Sequence, residues 1–100
     1  MTVVIVGTPD LPVVVALTEC LRRRGFTALA LSGMGLVALV MLTERVVAVI
    51  VPQDQAPPDW ESTRDRLAEI GPNTRILFVA RDDRRTPDEL ASHSVSHLEA

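Results

Sequence analysis

Thr8, Asp10, Asp54 and Asp82 each stand just after a run of β-branched and aliphatic residues in this 100-residue chain. Ligands of parallel-sheet proteins sit beyond the carboxyl ends of the strands, so hydroxyls and carboxylates there are the groups that would meet one. Ser32, Gln53, Arg81 and Asp83 follow the same runs. Several of these acids could converge and hold a cation weakly, against the plain alternative that loops are polar because they are wet. We take Thr8, Asp10, Asp54 and Asp82 as the ligand-crevice candidates. His93 and His97 are four apart, the spacing of a zinc-binding pair on one helix face, but no third ligand is patterned near them. No metal site is expected. Cys20 lies on the apolar side of a helical pattern and reads as a small hydrophobe. No Ser/His/Asp or Cys/His set is arranged for nucleophilic attack, so the chain is not expected to be an enzyme. Gly7 after VVIV opens like a dinucleotide-binding turn. Pro9 and Pro12, however, occupy positions where close approach to a pyrophosphate demands glycine and backbone N–H groups. No cofactor is expected.

Composition narrows the classes further. Apolar residues make up 47% and charged residues 23%, enough to fold one core and too little length for a second. Aromatics are only 3%, without a tyrosine, so Val, Leu, Ile and Ala must build that core. A formal charge of −3 offers no general attraction to nucleic acid. All ten basic residues are arginine, and Arg22–Arg24 form the only basic cluster, with no aromatics interleaved in it. Nucleic acid is not an expected partner. The single cysteine excludes an internal disulfide and fits a reducing compartment. The stretch from Met34 to Val51 is broken by Thr43-Glu44-Arg45, and each half is too short to span a bilayer core of about 30 Å. With no basic region ahead of the first apolar run, the chain reads as cytoplasmic and without membrane contact.

Four runs must position these residues: Thr2–Val6, Thr27–Leu31, Val46–Val51 and Arg75–Ala80. Their apolar character is nearly continuous, as in strands covered on both faces. Helical segments separate them. The first is expected from about Asp10 to Arg24, closed by Gly25, and the second from a Ser32 cap to near Glu44. The third is expected from an Asp59 N-cap to Ile70. The last opens at Thr86-Pro87-Asp88-Glu89, a capping box with proline in the first helical position. A βαβα alternation makes an α/β domain. The most apolar runs, the first and third, belong in the middle. That predicts a four-stranded parallel sheet of order 2-1-3-4 with helices on both faces, a three-layer flavodoxin-like arrangement.

In TVVIV, the helix ending LRRRGF, VVAVIV after MLTER, and TRILFVARDD, the chain resembles a response-regulator receiver domain over nearly its whole length. The resemblance implies residues 1–100 as one receiver-like domain, either truncated before a fifth strand or a four-strand relative. It also implies a degenerate phosphotransfer site. The acidic pair expected after the first strand reads Gly7-Thr8. The third strand ends Ile50-Val51-Pro52, with Asp54 beyond it, and the switch hydroxyl falls at Val79 or Ala80. The phosphoryl-pairing lysine has no counterpart in a lysine-free chain. The implied function is a non-phosphorylatable module for regulatory protein contact or dimerisation in bacterial signalling. The alternative is a small nucleotide- or ligand-binding unit using the strand-end crevice.

The second helix is the anomaly. Leu36–Leu42 is apolar on every side, whereas a helix laid on a sheet normally keeps a polar outer face. A protein partner or second copy is expected there, with Leu36 and Val40, or Leu39 and Met41, as the competing outward sets. The fourth strand, without a fifth beside it, is expected to be covered by a partner or by the last helix.

Overall fold

The β-branched runs do form strands, and their register explains which side chains meet. A computed structural model describes residues 1–96. The elements alternate as β1 (Thr2–Val6), α1 (Pro12–Arg23), β2 (Thr27–Leu31), α2 (Met34–Thr43), β3 (Val46–Pro52), α3 (Trp60–Ile70), β4 (Arg75–Val79) and α4 (Pro87–Val95). The strands make one parallel sheet in the order β2-β1-β3-β4. Every residue of β3 is buried, as a central strand requires, and β1 is nearly so.

Alternation along each strand divides the interior into two layers. Val3, Ile5, Ala48, Ile50, Leu77 and Val79 face α1 and α4, packing on Val14, Leu17, Leu21, Leu90 and Val95. Val4, Val6, Val49 and Val51 face α2 and α3, meeting Val37, Met41 and Leu67. Thr2 pairs with Val46 but Val3 with Ala48, so Val47 is an extra residue at the start of β3. Such a bulge re-phases the strand, and from Ala48 onward the two layers stay in step.

The helix ends depart from the sequence expectation in small, explicable ways. Asp10 stays in the turn before α1, because Pro12 supplies the pre-set φ of a first helical residue. Gly25 takes the left-handed conformation after α1, at φ 87°. Ser32 does not cap α2; Gly33 holds the N-cap position without a side-chain bond. Asp59 does hold the N-cap position of α3, though its carboxylate caps no backbone N–H. The α4 capping box is complete: Thr86 Oγ1 accepts from the Glu89 N–H at 3.2 Å, and Glu89 Oε1 accepts from the Thr86 N–H at 3.3 Å.

After β4 the chain crosses the top of the sheet and α4 packs beside α1, on the face opposite α2 and α3. The last helix therefore covers a sheet face and leaves the outer edge of β4 alone. Among the described residues, nothing pairs with that edge. None of the described helices is long and apolar enough to cross a membrane.

Candidate functional site

Where α1 and α4 begin, their two N-terminal prolines and the ends of β3 and β4 enclose a cleft of about 470 Å³. Its walls are largely aliphatic, with Pro12, Val13, Pro52, Val79, Pro87 and Leu90 among them. Polar groups come only from the two loops that follow β3 and β4. Asp54 lies in a single 3-10 turn, Gln53–Gln55, immediately after β3. Its Oδ1 accepts hydrogen bonds from Arg81, from Nε at 2.9 Å and from a terminal guanidinium nitrogen. Gln53 Oε1 accepts the Arg81 backbone N–H at 2.7 Å. Arg81 thus ties the two loops together, and Asp54 is already an ion-pair partner through its Oδ1.

A second pair borders the same cleft. Arg85 donates to Asp83 through Nε at 3.1 and 3.2 Å, through a terminal nitrogen at 2.7 Å, and through its backbone N–H at 2.9 Å. The Arg85 side chain, and next its backbone N–H, favour the ionised form of Asp83 and lower its pKa from 3.8 to about 2. Arg85 is held the more firmly protonated in return. This turn sets Thr86 in place to cap α4.

Of the four crevice candidates, only Asp54 lines the cleft. Thr8 and Asp10 are exposed in the loop after β1, and Asp82 is exposed beside the Asp83 turn. The acids do not converge, and among the described residues no group of three or more His, Cys, Asp or Glu could hold a metal ion. His93 lies near Arg75, Nε2 to guanidinium at 3.4 Å, while His97 lies outside the described residues. Cys20 is buried in the core layer of α1, as its position implied. Arg81 and Asp83, noted after the strand runs but left out of the four candidates, and Arg85, not singled out for the crevice, also line the cleft. Their alternating charges read as a solvated loop, and the proline at each helix start was the signal that two helix N-termini meet there.

The other candidate site is the outer face of α2. Leu36, Leu39 and Leu42 are 51%, 56% and 70% exposed, a row at i, i+3 and i+6 along one side. Val37 and Met41 point inward, and Val40 is half-buried at the flank. Met41 therefore leaves the outward set: its Cε reaches beneath the end of α3, where a Cβ added at Gly71 would lie 2.7 Å away. Neither expected pairing was correct, since the exposed row takes Leu36 from one and Leu39 from the other, and adds Leu42. Compared with known proteins, the chain matches no family model and no curated protein.

Proposed function

We propose that the chain is a non-enzymatic, receiver-like interaction module, working in the bacterial cytoplasm without phosphotransfer or cofactor. The observation that carries this reading is the exposed leucine row on α2. Water-facing positions of a sheet-packed helix tolerate charge freely, so three leucines there favour a contact surface over a solvated one. The strand-end groups agree: Gly7-Thr8 supplies no carboxylate, and Asp54 is already engaged by Arg81.

The leucine row offers an apolar patch on the order of 300 Å². A self-sufficient subunit contact buries about 800 Å² on each side. The patch therefore suits the apolar stripe of one helix of a regulatory partner protein, laid along Leu36, Leu39 and Leu42. A photo-crosslinking residue in place of Leu39, in cells that make the protein, tests this. A discrete protein adduct that disappears with Leu36→Glu is expected. No adduct, or the same adducts from a residue placed at Glu69 on α3, would overturn the reading. An adduct of twice the chain mass would replace the partner protein with a second copy.

A further inference from the structure

We propose that a second copy of this chain docks on the outer edge of β4, continuing the sheet across a two-fold axis at Leu77. This stands apart from the α2 reading. Among the described residues, β4 is hydrogen-bonded to β3 on one side only. An unpaired strand edge presents backbone donors and acceptors in a row, and another strand satisfies them best. The segment RILFV has the β-branched and aromatic make-up of a strong strand. The opposite edge strand, TALAL, is poorer in such residues.

Face matching requires a two-fold centred on a residue, and Leu77, the middle of the five, is the centre that pairs the whole strand. Leu77 and Val79 point into the α1/α4 layer, and Ile76 into the α2/α3 layer. Residues directly opposite in an antiparallel pair point to the same face. A two-fold centred on Leu77 sets Ile76 of one copy against Phe78 of the other, twice, and Arg75 against Val79, twice. All of these pairs agree in face. A register moved by one residue would set Ile76 against Val79, on opposite faces, and fails.

Side-chain chemistry points to a second copy. Phe78 is 38% exposed, yet its ring lies 5.8 Å from Trp60. An Ile76 arriving from the partner would cover the open side of that aromatic pair. Arg75 would lie across from Val79, so no like charges oppose one another. The contact spans five residues, about 17 Å of strand. That is small, and the dimer is a weak one, populated at high protein concentration.

Sedimentation velocity across a wide concentration series, with amide hydrogen exchange at each end of it, tests this on the full chain. A reversible dimer is expected, with concentration-dependent protection confined in the sheet to Arg75–Val79. Phe78→Lys, at a position already open to water, is expected to stay folded and weaken the dimer about tenfold or more. Leu39→Glu should leave it unchanged. A chain that stays monomeric throughout overturns the proposal. So does a dimer that survives Phe78→Lys, one that protects Thr27–Leu31 instead, or one abolished by Leu39→Glu, which would move self-association to α2.

Discussion

Gly7 turns the chain out of the central strand at φ 147°, and a Cβ placed there would lie 3.0 Å from Val14 Cγ2. Backbone conformation and the closeness of α1 thus both demand glycine. Gly7→Ala is expected to cost about 1–3 kcal/mol, read as a lower urea midpoint with an unchanged slope. Asp83 offers a second test at this scale. Because its folded pKa is lowered, the stability it contributes is complete above 3.8 and lost as pH falls through about 2. Carboxyl carbon shifts followed by NMR should show Asp83 titrating near 2, and Arg85→Gln should return it toward 3.8. Asp54 was legible in the sequence because it follows a strand, where loops carry ligand groups. The Asp83–Arg85 pair was not, because two residues apart they meet only in a turn whose shape the sequence pattern did not reveal. Their alternation with Arg81, Asp82 and Arg84 looks the same as ordinary solvation.

Secondary-structure elements were more legible than the sides they present. β3 is seven apolar residues long and had to be central, and the order β2-β1-β3-β4 follows from placing it and β1 inside. The α4 start was equally plain, since its cap, proline and glutamate each have a separate reason to be there. Thr86→Ala removes the side-chain half of that cap, leaving Glu89 Oε1 on the residue-86 backbone N–H, and should lower stability by about 1 kcal/mol. The orientation of α2 could not be read, because a helix apolar on all sides carries no periodic signal for which side the sheet covers. A pair of substitutions checks the observed orientation. Met41→Ala opens the packed layer and should cost about 2–5 kcal/mol, while Leu39→Ala should stay within about 0.5 kcal/mol. Equal losses at both positions would show that the leucine row is core and that no outer face exists.

Across the whole molecule, the flavodoxin-like layout stands without an obvious phosphotransfer site. The sheet order is the expected one, α4 packs on the α1 face, and among the described residues the strand ends form no acidic cluster. Incubation with acetyl phosphate and Mg²⁺ should therefore give no mass gain; stoichiometric phosphorylation of Asp54 would restore phosphotransfer to this chain. The position of β1 has a kinetic consequence. It is the first strand in the chain, yet its neighbours are β2 and β3, and Val3 meets Ala48 from near the middle of the chain. No hairpin can nucleate such a sheet, and each pairing must close a long loop before any contact rewards it. A nascent chain can lay TVVIV beside TALAL, but must hold its other edge open until VVAVIV has left the ribosome. Refolding should then be slow for so short a chain, with relaxation times of milliseconds to seconds where helical bundles take microseconds to milliseconds. Until then its most apolar segments stay open to the wrong neighbours.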